Sequence, residues 1–268
     1  MELLTIFLSG LLGFITPAGL LVDRTAEKAI RSQLKTAQEL QVRVDNVPTH
    51  QLLQGRVEKV RIAGRSLLLK NQNIHISQLD LETDPIELDL HDRGQKRLPL
   101  KKPLQMGVRL VLTQQDVNKL LESPDFLNRL KKFNLVSVSS SNNPSSDVYN
   151  LANPQIKILE NRLRFQLKLR QEGNGKPLNI RVESGLNVIA GRQIRLVNPT
   201  VELNQEKAPE KLINQIVNHL NEQLDLGNLE SEGIQLRILE LNIKPAAIEI
   251  AAFIKIEPSS KFLEELSS

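Results

Sequence analysis

A chain of 268 residues with 40% hydrophobic and 25% charged residues is long enough to bury a core and has an ordinary globular balance. A formal charge of +4 is too small an excess to argue for a nucleic-acid partner, and the absence of cysteine excludes disulfides, thiolate metal sites and cysteine nucleophiles. Aromatic residues make up only 3%, so the core and any cavity must be lined by Leu, Ile and Val, which suits acyl chains better than flat rings or sugars.

Residues 3–22 carry no charge and reach the length that spans a bilayer. Gly10, Gly13, Pro17 and Gly19 argue against a helix buried in a soluble core. A basic n-region and a small-residue cleavage site are both missing, so an uncleaved anchor or signal-anchor is preferred to a signal peptide. Membrane association through this segment, with export to a periplasm or lumen, is the expectation. Arg24, Lys28 and Arg31 follow the stretch and Glu2 precedes it, which by the positive-inside rule keeps the cytoplasmic face open as the alternative. Residues 23–268 then form a single domain.

Val22, Ala26, Ala29, Ile30, Leu34 and Ala37 recur at helical spacing and predict a helix over 23–37. From Leu40 the pattern becomes that of strands, with a helical turn at 48–54 and long strands at 56–70 and 73–90. In the second of these, Ile74 and Ile76 share one phase, Leu79 and Leu81 the opposite one, and Ile86, Leu88 and Leu90 the first again, so bulges and bends are expected. A polar turn is read at 91–98. Leu104, Met106, Val108, Leu110 and Leu112 alternate as in a half-buried strand, and Thr113 with Asp116 forms a capping-box pattern opening a helix. Ser123-Pro124 opens a second short helix, and the polar run 137–147 reads as a mobile loop. Further strands follow around Leu163–Leu169, Leu178–Val188, and Ile194 to Leu203 on either side of Asn198-Pro199. A helix over 209–226 carries the stripe Leu212, Ile213, Ile216, Val217, Leu220 and Leu224, with Gly227 as its stop. Two strands close the chain, at 234–243 and around Ile248, Ile250, Ala252, Ile254 and Ile256, with a short helix at 259–266.

The predicted fold class is therefore α+β: a long, strongly curved antiparallel sheet with one dry face, wrapped around one or two amphipathic helices, those at 23–37 and 209–226. The runs DNVPTHQLLQGRVEKVRIAG (45–64), LDLETDPIELDL (79–90) and PLQMGVRLVLTQQDVNKLLESPDF (103–126) resemble the LmeA-like phospholipid-binding family, over most of the chain after residue 22. The resemblance implies a fold similar to the tubular lipid-binding superfamily, phospholipid binding and a role in the bacterial cell envelope. It carries no catalytic signature and assigns no residue.

No HExxH, Walker loop, GxGxxG or GxSxG occurs, and His50, His75, His91 and His219 show no metal-ligand spacing, so no enzyme activity, cofactor or metal is expected. Asp80, Glu82, Asp84, Glu87 and Asp89 could hold Ca²⁺ or act as an acid–base pair, but a solvated outer face is the simpler reading. Arg162, Arg164, Lys168 and Arg170 on one strand face fit either anionic headgroups or a charge-protected sheet surface. Small residues in the last strand, Ala246, Ala247, Ala251 and Ala252, would either widen a groove or allow close packing.

These observations lead to non-catalytic phospholipid binding or transfer, with the acyl chains between sheet and helices. The expected lining is Leu104, Met106, Val108, Leu110, Leu212, Ile216, Leu220, Ile248, Ile250 and Ile254. The expected partners are a phospholipid or other acyl lipid and a membrane surface. The alternative is a membrane-anchored assembly factor of the same fold with a filled core.

Overall fold

The computed structural model describes residues 27–28, 30–32, 34–45, 55–70, 75–89, 100–122, 149–171, 177–261 and 263. The expected anchor at 3–22, the turns at 48–54 and 91–98, the helix opened by Ser123-Pro124 and the loop at 137–147 lie outside these residues. Among the described residues no helix is long and apolar enough to cross a membrane.

The chain is α+β and mostly antiparallel, and its described strands divide between two large sheets and a two-stranded ribbon. The first sheet has six strands: β1 (Leu34–Asp45), β3 (Lys59–Leu69), β4 (His75–Thr83), β6 (Leu104–Thr113), β13 (Ala247–Ile256) and β12 (Ile234–Lys244), in that spatial order. A short ribbon of β2 (Arg56–Val57) and β5 (Ile86–Glu87) accompanies it. The second sheet has five: β11 (Glu206–Lys207), β10 (Gln193–Leu203), β9 (Leu178–Ile189), β8 (Leu163–Gln171) and β7 (Tyr149–Ile158). Its helix is α2 (Glu210–Gln223), while α1 (Gln114–Leu121) follows β6 directly.

Strand register explains why the first sheet has a dry face. Val42, Ile62, Leu81, Val108, Ala252 and Ile238 are successive cross-strand partners along one row spanning all six strands. Leu40, Gly64, Leu79, Leu110, Ile250 and Leu241 make the adjacent row. Alternation within each strand therefore becomes a continuous aliphatic surface. Val57, Ile86, Leu88, Leu100, Leu229 and Leu263 join its buried cluster.

The expected phase slip is present. Gly64 faces Leu79 but Leu67 faces Ile76, so the apolar phase changes between these pairs, where Ser66 adopts φ 51°. Elsewhere Asn-Pro steps absorb the irregularity: Asn153 (φ 51°) precedes Pro154 at the register shift of β7, and Asn198 (φ 47°) precedes Pro199 at that of β10. Proline cannot donate to a ladder and is accommodated at such bulges. Thus β10 is one bulged strand. A third shift, between Ile238 and Glu240, extrudes Leu239, which is 70% exposed.

Two expected boundaries are corrected. The helix read over 23–37 is helical at described residues 27–28 and 30–32, but Leu34 to Ala37 open β1 and pair with β3. Spacing of three and four residues there matched both templates, and the β3 partner decides. At the other helix, α2 ends with Leu224 as its C-cap; Gly227 lies inside a separate 3-10 helix, Leu226–Glu232, whose left-handed cap is Gly233 at φ 78°.

The sheets meet through a cluster of Ile158, Ile243 and Ile248 with Val117, Leu163, Leu186, Leu241 and Ile250. Helix α1 ties them together. Its Asn118 side chain donates to Ile156 O (3.0 Å) and accepts from Ile156 N (2.7 Å), and Gln114 Oε1 accepts from Ile158 N (2.9 Å), so side chains complete the edge of β7.

Candidate functional site

The aliphatic face of the first sheet is not uniformly sealed. At one end Leu104 and Met106 on β6 and Ile254 and Ile256 on β13 are buried to 2% exposure or less. Along β6 the next inward positions, Val108, Leu110 and Leu112, are only half-buried, as are Ile250 on β13 and Leu236 and Leu241 on β12. Burial is therefore tightest at one end, and toward the other these half-buried side chains stand beside the buried Leu79, Leu81, Ile238, Ile248 and Ala252.

The ten residues read from the sequence as a lining fall into three clusters. Leu104, Met106 and Ile254 belong to the main core, with Val108 and Leu110 against it. Ile248 and Ile250 lie in the cluster between the sheets. Leu212, Ile216 and Leu220 pack instead with Val201, Ala208, Val182 and Leu203, on the second sheet. Register joins the first two groups, since Leu110 opposes Ile250 and Met106 opposes Ile254. It does not join them to α2, whose principal partner is β10.

The opposite, polar face of the first sheet carries a groove of about 790 Å³ that composition alone did not reveal. Gln41, Ala63, Asp80, Arg109 and Ala251 form one cross-strand row beneath it; Arg43, Arg61, Glu82 and Gly107 form the next. Three small residues, Ala63, Gly107 and Ala251, interrupt a surface of long charged side chains. A Cβ built on Gly107 would meet no atom within 4 Å, so the missing side chain is itself part of the hollow. The small-residue signal in the last strand, Ala251, therefore marks a groove, though on the face opposite to the apolar one.

Charges on this face neutralise one another. Glu82 takes Lys59 Nζ at 2.5 Å and Arg61 Nε at 2.8 Å, and Asp80 takes Arg65 Nη1 at 2.8 Å; on the separate β2–β5 ribbon Glu87 takes Lys102 Nζ at 2.7 Å. Hydrogen bonds from Lys59 and Arg61 hold the Glu82 carboxyl below its ordinary range. Burial opposes ionisation at Asp80, but Gln78 and Arg65 outweigh it. These carboxylates are thus held charged in an ion-pair lattice. Among the described residues no group of three His, Asp or Glu side chains could hold a metal ion. The basic strand of the second sheet is similar: Arg162 and Arg164 both grip Glu183, at 2.9 and 2.8 Å. Lys168 instead lines a separate polar hollow of about 350 Å³ with Gln166, Arg181 and Glu202. The side chain of Arg170 lies outside the described residues.

A polar network between β3, β4 and α1 escaped the sequence reading. Asp116 closes the capping box with Thr113: its Oδ2 accepts from Thr113 N (2.7 Å) and from Ser77 Oγ (2.7 Å). Its Oδ1 meets His75 Nδ1, and His75 Nε2 stands 2.9 Å from Ser66 Oγ. Burial disfavours the Asp116 charge, yet hydrogen bonds from Ser77, Thr113 and His75 prevail and lower its pKa. Only the capping box was visible as a local motif, because the three partners are 9 and 41 residues apart.

The model of the LmeA-like phospholipid-binding family matches residues 14–253, and the chain belongs to that family. No curated protein and no solved structure matches it.

Proposed function

We propose that this member of the phospholipid-binding family carries phospholipid at a membrane, with an acyl chain laid on the aliphatic face of the first sheet. The observation that carries the reading is the half-buried run Val108, Leu110 and Leu112 along β6, beside an end sealed by Leu104, Met106 and Ile254. Each methylene covered contributes about 0.8 kcal/mol, so one acyl chain is enough for retention. In this reading the sheet curves around its ligand as in tubular lipid carriers, and Leu212, Ile216 and Leu220 of α2 stabilise the second sheet. The N-terminal segment, residues 3–22, would hold the protein at an envelope membrane, on its exported side.

The test is native mass spectrometry with lipid extraction on the full chain, followed by uptake from phosphatidylglycerol vesicles. Leu110→Asp, at a half-buried position, is expected to abolish retention, whereas Gly107→Trp, which fills the opposite groove, is expected to leave it unchanged. Loss of lipid in Gly107→Trp with retention in a folded Leu110→Asp protein would transfer the ligand to the polar face. An empty wild-type chain that takes up no lipid would leave the assembly-factor reading, in which the sealed end of the core extends across the whole sheet.

A further inference from the structure

Ser66, His75 and Asp116 form a hydrogen-bonded chain, of which helix capping requires Asp116 alone. Asp116 is the buried end, its side chain 2% exposed, and His75 is 25% exposed. An ionised carboxylate cannot donate, so the proton between His75 and Asp116 belongs to Nδ1. In that tautomer Nε2 presents a lone pair, and the hydroxyl 2.9 Å away is that of Ser66. Ser77 Oγ and the Thr113 N–H fix the other carboxylate oxygen, so the Asp116 side chain cannot turn away from the ring. Hydroxyl, imidazole and carboxylate in this order are the arrangement that activates an oxygen nucleophile.

Backbone geometry points the same way. Ser66 holds φ 51°, a left-handed conformation that is unfavourable for any residue with a Cβ. It sits where β3 changes its apolar phase and is half-buried. Glycine would satisfy the turn without strain, and Gly64 stands two residues away. Left-handed residues recur at other turns and bulges, Asn153 and Ala190 among them; at Ser66 the side chain so placed lies 2.9 Å from an imidazole nitrogen.

We propose that Ser66 is a nucleophile and that the protein cleaves carboxylic esters, with His75 as general base and Asp116 as the residue that positions it. In the first step Ser66 Oγ bonds to the ester carbonyl carbon and its proton passes to His75 Nε2. The carbon–oxygen bond to the leaving alcohol then breaks, and that oxygen takes the proton from Nε2. In the second, water adds to the acyl-Ser66 carbonyl, gives a proton to Nε2, and a carboxylic acid leaves as Ser66 regains its proton. The proposal stands apart from lipid binding, because a short, water-soluble ester probes it.

The experiment treats the full chain with an alkyl fluorophosphonate, which bonds to an activated serine oxygen as fluoride departs, and maps the adduct by peptide mass spectrometry. Hydrolysis of 4-nitrophenyl butyrate is followed in parallel. The expected result is an adduct on Ser66, no turnover above buffer in Ser66→Ala, and labelling slowed about 100-fold or more in His75→Gln. Asp116→Asn should change the pH profile of labelling as well as its rate, which a purely structural aspartate would not do. Should Asp116→Asn fail to fold, Ser66→Ala and His75→Gln, at more exposed positions, decide the matter. A folded wild-type protein whose Ser66 stays unlabelled, or Ser66→Ala that hydrolyses the ester as fast as wild type, overturns the proposal.

Discussion

Replacing Asp116 with alanine removes one buried carboxylate and leaves three donors without their acceptor: Ser77 Oγ, Thr113 N and His75 Nδ1. Loss of an N-cap partner costs about 1 kcal/mol, and each hydrogen bond to a charged acceptor contributes roughly 1.5–3 kcal/mol, part of which water recovers at His75. A total of about 3–5 kcal/mol is therefore expected, large for a side chain on a two-turn helix. Because α1 also completes the edge of β7 through Asn118 and Gln114, part of the loss should appear as weakened coupling between the sheets. Urea unfolding followed by circular dichroism measures it, and hydrogen exchange at Ile156 and Ile158 locates it. The pH dependence supplies an independent check. The folded pKa of Asp116 is lowered, with burial opposing and the hydrogen bonds from Ser77, Thr113 and His75 prevailing. Its stabilisation is then fully present above the unfolded aspartate value near pH 4 and is lost as pH falls through the folded one. Wild type should show this acid limb and Asp116→Ala a shallower one, since the lowered Glu82 and Asp80 carboxyls remain. A variant within about 1 kcal/mol of wild type at neutral pH, with the same acid limb, would refute the network as a structural element.

Other positions test the fold more simply. Gly191→Ala places a Cβ 3.2 Å from Ile238 O at φ 69°, and should cost about 1–2 kcal/mol, seen as a lower Tm. In Gly64→Ala the new methyl would come within 2.6 Å of Leu67 Cδ1, a 2% exposed core side chain; about 1–3 kcal/mol of overpacking is expected, measured by denaturant titration. Glu82→Gln removes an acceptor shared by Lys59 and Arg61 on an exposed face, and should alter neither the melting temperature nor lipid retention. A calcium-dependent melting shift in wild type that disappears in Glu82→Gln would instead restore the acidic run as a cation site.

What could be read from the sequence was what is local. Alternation from Leu104 to Leu112 became β6, and Thr113 with Asp116 became a capping box satisfied in both directions. Asn198-Pro199 was recognisable as an interruption because a proline without an N–H must sit at a bulge. The failure at Leu34 to Ala37 has the same origin: spacing of three and four residues is shared by a helix face and by a strand that slips phase, and only pairing with β3 separates them. The placement of α2 was equally illegible. Its stripe specifies that Leu212, Ile216 and Leu220 are buried, but not which sheet buries them; Val201 and Val182 supply that information from distant positions.

Binding surfaces are less legible than elements because they depend on register across several strands. Ala63, Gly107 and Ala251 come from three strands separated by 44 and 144 positions in the chain, yet registered pairing places them over one groove. A shift of one residue in any of those pairings would exchange the groove for the aliphatic face on that strand. The same dependence governs Ser66 and His75, which meet because Leu67 opposes Ile76 and Leu68 opposes His75. Thus the phase slip in β3 has two effects at once. It returns Leu67 to the core next to Gly64, and it leaves Ser66 in a left-handed conformation beside an imidazole. A sequence shows that such a slip must occur; which side chain it turns toward a neighbour is decided only when the sheet is assembled.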